Sequence, residues 1–228
     1  MAWIRTLSNR SRAGWLWLVV GLLPALAGLA HARAESPKRV VYVQLLSPPP
    51  TTEVVNAVTA GLRAFYPVEV RVLSVVDMPQ AAWHAPRQRW DADRLLPWLA
   101  ARLPADGQKI VGLTRDDIFT HDAKRGLWGV LGLGSLDGKS NVISSFRAQR
   151  GVGAEGLRAR IAKVAVHEVG HNFGLGHCEH DRRCLMADAN GKVSTVDGET
   201  DLCRVCREKL NDAGVSVPTA PQTPWRKP

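Results

Sequence analysis

His167-Glu168-Val169-Gly170-His171-Asn172-Phe173-Gly174-Leu175-Gly176-His177 is the stretch that decides how this chain folds and works. The residues leading into it are nearly all apolar from Ile161 onward, which predicts one helix from Glu155 to about Phe173. His167 and His171, four apart, lie about 40° from each other around such a helix and one turn along it. Two imidazoles can therefore reach one metal ion from the same face. Glu168 lies about 60° round from His171, placed to hydrogen-bond a metal-bound water and too far round to join a compact shell. If the helix continued, His177 would point about 120° away from the shared face. Gly174 removes that difficulty, because glycine readily takes the left-handed conformation that ends a helix and turns the chain back. Three neutral imidazoles and a water make an open tetrahedral zinc site, the arrangement of catalysis and not of structure.

All four cysteines follow this stretch: Cys178, Cys184, and the pair Cys203 and Cys206 in a C-x-x-C. Four thiolates around a second zinc would form a closed structural site. In an exported chain the same cysteines could instead oxidise, with three possible disulfide pairings.

With the cysteines added, the region from His167 to Cys206 resembles the archaemetzincins, metzincin-like peptidases with a catalytic zinc and a neighbouring four-cysteine zinc. Five residues separate Cys178 from Cys184 and sixteen separate Met186 from Cys203, each one residue off the family's spacing and each in a loop. The resemblance implies a metzincin or zincin-like α/β (α+β) fold with a mixed twisted sheet, an active-site helix and a smaller cysteine-rich C-terminal lobe. It implies two zinc ions per chain, a catalytic one on His167, His171 and His177 and a structural one on Cys178, Cys184, Cys203 and Cys206. Glu168 would be the general base, and Met186 the methionine beneath the histidines. A strand within Trp128–Leu136 would lie over the metal and pair with extended substrate; an internal strand bulged by its glycines is the alternative. Some metzincins add a tyrosine soon after that methionine, whereas this chain has only Tyr42 and Tyr66, both upstream.

Further out, Lys38–Leu46 reads as a strand buried on both faces, ended by Pro48-Pro49-Pro50. A helix follows from Thr51, with Val54, Val55, Val58, Leu62 and Phe65 on one stripe, stopped by Pro67. Val68–Val76 is a second strand and Pro79–Arg89 a loop anchored by Trp83 and Trp90. Asp91–Leu103 is helical despite Pro97, and Lys109–Thr114 is a third strand. That alternation predicts a partly parallel sheet. Trp128–Leu136 and Val142–Arg147 read as further strands. Pro218–Pro228 reads as a disordered proline-rich tail. His84, His121 and His180 have no informative spacing and read as surface residues.

Residues 1–34 carry four arginines and no acid, and an apolar run, Ala13–Ala30, precedes two small-x-small patterns ending at Ala32 and Ala34. This is the order of a secretory signal, so the expected mature domain is 35–217, exported to the periplasm or secreted. Removing those four from 30 basic residues leaves 26 against 21 acidic ones. The scattered excess gives no reason to expect nucleic acid. The 228-residue chain, 45% hydrophobic, can bury a full core, which excludes a small disulfide-held scaffold. The reading is a zinc-dependent metallopeptidase, endopeptidase or aminopeptidase, acting as a monomer on peptides or proteins without stable membrane insertion. A zinc hydrolase of a non-peptide amide and a zinc-stabilised, non-catalytic peptide-binding module are the alternatives.

Overall fold

Alternating apolar and turn-forming segments fold into two sheets, the larger of which packs against the helix that carries His167 and His171. The computed structural model describes residues 39–223 and Trp225, so the signal-like segment 1–34 lies outside the described residues. In chain order the first elements are β1 (Arg39–Leu46), α1 (Thr52–Phe65), β2 (Val68–Val76), β3 (Trp83–His84), β4 (Arg89–Asp91), α2 (Ala92–Ala100) and β5 (Lys109–Thr114). There follow β6 (Ile118–Asp122), β7 (Gly126–Val130), β8 (Gly132–Gly134), β9 (Ser140–Ser144), α3 (Ser145–Ala148), α4 (Ala154–Asn172), α5 (Val193–Gly198) and α6 (Arg204–Asp212).

The larger sheet has the order β2-β1-β5-β9-β8. Its first four strands are parallel, and β8 pairs antiparallel to β9 at the edge. Parallel strands need crossover helices and are covered on both faces, which is why β1 and β5 read as continuous apolar runs. Alternate residues serve opposite faces. Val41, Val43, Val111, Leu113 and Ile143 meet α1 and α4, whereas Val40, Tyr42, Ile110 and Val142 meet α2. Burial of each of these side chains contributes about 1.5–3 kcal/mol. The helices α1 and α4 cross closely at Gly61, where a Cβ would come within 3.1 Å of the Ala162 Cβ. A smaller sheet, β3-β4-β6-β7, stands beside the first. Asp117, just before β6, is buried between Arg147 (2.6 and 2.9 Å) and Arg89 (2.8 Å), so charge-assisted bonds fix the junction.

Several expectations are corrected. The strand expected over Val142–Arg147 ends at Ser144, because the Ser144 hydroxyl accepts the Phe146 amide (3.1 Å) and starts α3. Trp128–Leu136 is not one strand: β7 belongs to the smaller sheet and β8 to the larger, and Leu131 between them is buried. The helix expected over Asp91–Leu103 runs only from Ala92 to Ala100, with the Asp91 side chain capping the Arg94 amide at 3.3 Å. The loop expected over Pro79–Arg89 holds the short β3, and Trp83 and Trp90 do pack, at 5.0 Å between rings. His84, expected at the surface, is half-buried, with its ring packed edge-on against Phe119. The tail expected to be disordered from Pro218 packs at its described end: Thr223 is buried, and Trp225 stacks on Phe65 at 5.6 Å between rings. An indole on a core aromatic removes enough apolar surface from water to order a proline-rich segment.

Candidate active site

Helix α4 ends as Gly174 requires. Gly174 has φ +89, its amide donates to the His171 carbonyl (2.9 Å), and the Leu175 amide donates to Gly170 (3.0 Å). This pair of bonds is the Schellman arrangement. Any side chain at 174 would also meet the Asp137 carboxylate, 2.6 Å from a Cβ there. The turn brings His177 back to the helix. Ring centroids lie 4.6 Å apart for His167–His171, 5.4 Å for His167–His177 and 5.0 Å for His171–His177. One ligand nitrogen from each lies within 4.8 Å of the other two.

Backbone carbonyls fix two of the tautomers. His167 Nδ1 lies 2.7 Å from the Leu185 oxygen, and His171 Nδ1 lies 2.7 Å from the Leu175 oxygen. A carbonyl only accepts, so each Nδ1 carries the proton and each Nε2 presents a lone pair. Those two Nε2 atoms are 2.9 Å apart. Two lone pairs facing at that distance repel unless a cation lies between them. Burial holds both imidazoles neutral: it lowers His171 and, with the neighbouring His171 second, brings His167 down to about 3. Neutral, carbonyl-oriented nitrogens are the donors zinc takes, and a tetrahedral ion would space them about 3.3 Å apart. The donor set fits zinc.

Glu168 is buried beneath β8. A Cβ at Gly132 would lie 2.6 Å from Glu168 Oε1, and one at Gly134 would lie 3.0 Å from Oε2. The glycines in this strand therefore mark close approach to the carboxylate, and β8 is the free edge of the sheet. Burial raises the Glu168 carboxyl to about 8. The carboxylate lines a cavity of about 480 Å³ that the three histidines share, between β7–β8 and α4–α5.

Beside this cavity the four thiols converge. Cys178 and Cys203 sulfurs are 3.6 Å apart, Cys184 and Cys206 sulfurs 3.7 Å, and all four lie within 4.8 Å of one another. A disulfide would hold two sulfurs at about 2.05 Å. A tetrahedral zinc would space them about 3.8 Å apart, and the observed spacing is of that kind. The close contact between the Cys184 and Cys206 sulfurs lowers the Cys184 thiol and raises that of Cys206. Met186 is fully buried against α4, with its sulfur 2.5 Å from where a Cβ of Gly170 would stand.

Several polar residues of this region carry no sequence signal. Asn172 ties the end of α4 to β8–β9, donating to Ser135 (2.9 Å) and Ser140 (3.0 Å) and accepting from Asn141 (2.6 Å). Asp188 comes within 4.0 Å of His177. Arg160 and Lys163, buried on α4, and Glu199 after α5 could be found only through their partners. His180 is exposed, and the ligand groups do not include it.

The fold and this donor set together define a zinc-dependent metallopeptidase. Residues 71–212 match the model of Peptidase family M54, and the chain belongs to that family. An archaemetzincin of Haloquadratum walsbyi is 33% identical over 168 residues, covering 69% of this chain and 92% of its own. The crystal structure of the Methanopyrus kandleri archaemetzincin matches with a TM-score of 0.66 and 27% identity, over 77% of this chain and 94% of that one. The Archaeoglobus fulgidus archaemetzincin, crystallised in complex with malonate, matches with a TM-score of 0.63 and 31% identity, over 75% and 99%. Membership implies peptides as substrates. Among the described residues no helix is long and apolar enough to cross a membrane.

Proposed function

We propose that the chain hydrolyses peptide bonds with His167, His171 and His177 as ligands of a catalytic zinc, Glu168 as general base, and the four cysteines around a second, structural zinc. The observation that carries this reading is the pair of bare Nε2 lone pairs 2.9 Å apart, each fixed by a carbonyl on its Nδ1. Zinc bound there supplies Lewis acidity, lowering the pKa of a water toward about 7 and polarising a substrate carbonyl. Glu168 takes the proton of the attacking water and returns it to the leaving amine. A buried carboxyl raised to about 8 suits that exchange, because a nearby cation draws its pKa back toward neutrality. The free edge of β8 can pair with an extended peptide and hold its carbonyl over the site. The leader-like order of residues 1–34 supports export to the periplasm or beyond.

Cleavage of a quenched peptide library, with and without a chelator, tests the reading. Zinc-dependent cleavage, abolished in Glu168→Gln with zinc content retained, is the expected result. Full activity of Glu168→Gln would remove the proton-transfer role.

A further inference from the structure

Beyond the histidines the cavity reaches an acid that hydrolysis does not require. Val164 lies one turn before His167 on α4, α5 contributes Val196, and Glu199 follows α5; all three line the cavity. Glu199 is 3% exposed, and its carboxylate accepts no hydrogen bond among the described residues. The nearest cation, Lys163, favours ionised Glu199 through space, but its hydrogen bonds and those of Arg160 go to other groups. The Lys163 ammonium donates to the Val196 (2.8 Å) and Asp197 (3.3 Å) carbonyls, and Arg160 clasps the Asp197 carboxylate at 2.6 and 2.7 Å. Of the other charged groups lining the cavity, Arg125 and Asp188 are exposed, and Asp122 accepts the Lys124 and Arg125 amides (2.9 and 2.8 Å). A buried carboxyl with no donor is costly, and its cost is relieved when a cation arrives.

We propose that Glu199 is a specificity-determining residue that receives the cationic tip of a lysine or arginine flanking the scissile bond, with the side-chain stem lying along Val164 and Val196. This rests on the peptide-hydrolysis reading above. Two valines and a terminal carboxylate match a side chain that buries its methylenes and presents a charge at its end. The helical rise from His167 to Val164, about 4.5 Å, is within the reach of such a stem. Burial raises the Glu199 carboxyl to about 8, opposed by Lys163. With the Lys163 hydrogen bonds spent on backbone carbonyls, the carboxylate at this end of the cavity keeps its acceptor positions for a second cation. A neutral side chain of the same length would leave the carboxyl unpaired, the condition under which a site discriminates strongly.

The test uses the zinc-loaded mature chain and matched peptides carrying lysine, arginine, norleucine, glutamine or glutamate on either side of the scissile bond. In wild type the kcat/KM ratio of lysine to norleucine should be on the order of 10²-fold at one of those positions. In Glu199→Gln and Glu199→Leu that ratio should fall toward one. A wild-type preference for neutral or acidic side chains would overturn the proposal. So would an equal loss on every peptide in the variants, since that is what a purely structural role beside Lys163 would give. Calorimetric binding of lysyl and norleucyl peptide hydroxamates gives a second readout independent of turnover. If zinc-loaded wild type cleaves no peptide, the hydrolysis reading fails. Glu199 is then judged by whether lysyl preference in binding is present in wild type and lost in the variants; equal affinities overturn it.

Discussion

Replacing Gly132 by alanine puts one methyl group against Glu168, the carboxylate proposed as general base. A Cβ there would lie 2.6 Å from Glu168 Oε1, 2.7 Å from Cγ and 2.9 Å from Cδ, whereas ordinary contact begins near 3.4 Å. Something must retreat by about 0.8 Å. The strand is held, since Gly132 pairs with Ile143 and the Ser144 amide donates to the Leu131 carbonyl at 2.8 Å. The helix is held as well, because Ala165 and Val169 are fully buried in the core. The carboxylate therefore moves. A misplacement of about 1 Å can cost roughly 10²-fold in rate, so kcat should fall by about that factor with zinc content unchanged. Overpacking should also cost about 1–3 kcal/mol of stability. Hydrolysis of a fluorogenic peptide, zinc analysis and urea unfolding would measure the three effects. Gly153→Ala, whose Cβ would meet nothing within 4 Å, is the control and should leave kcat unchanged. If Gly132→Ala keeps kcat within threefold of wild type, the carboxylate is not positioned as reasoned.

Cys178→Ser should release the cysteine-bound zinc and also weaken zinc at the histidines, because Cys178 directly follows His177 and its amide bonds Met186 (2.7 Å); zinc titration would show both losses, and an undisturbed histidine site would refute the link. Asn172→Leu removes one of two hydrogen bonds at each of the Ser135 and Ser140 carbonyls and leaves the buried Asn141 amide without its acceptor, and should cost about 1–3 kcal/mol in urea unfolding. Glu199, raised to about 8 in the fold from 4.5, binds its proton more tightly folded than unfolded. Its ionisation therefore destabilises the fold progressively as pH rises from about 4.5 to about 8. The Tm of chelated wild type should fall across that range, and Glu199→Gln should fall less; identical slopes would contradict the assignment.

Elements whose character is set locally were legible in the sequence. Val68–Val76 and Lys109–Thr114 form strands with the expected bounds, because apolar runs ending at prolines or polar turns leave no other good use for them. The turn at Gly174 was legible for the same reason: only a left-handed residue lets a third histidine rejoin the first two. What depended on distant partners was not legible. Leu131 marks a change of sheet that no local pattern signals, and Ser145 begins a helix within a stretch of strand-like composition. Trp225 packs at the surface of the core only because Phe65 lies opposite it. Glu199 and Asn172 are ordinary polar letters until the fold buries them beside α4. The family resemblance lay in the motif from His167 to Cys206, and the match to Peptidase family M54 extends it over residues 71–212.

An anomalous-difference map at the zinc edge, from crystals of the zinc-saturated protein, tests the metal assignment most directly. Two peaks are expected, one bonded to Nε2 of His167 and His171 and to a His177 nitrogen, the other within the four cysteine sulfurs. Density for disulfides at the cysteines would remove the structural zinc. A map with no peak among the histidines in zinc-saturated protein would contradict the catalytic assignment.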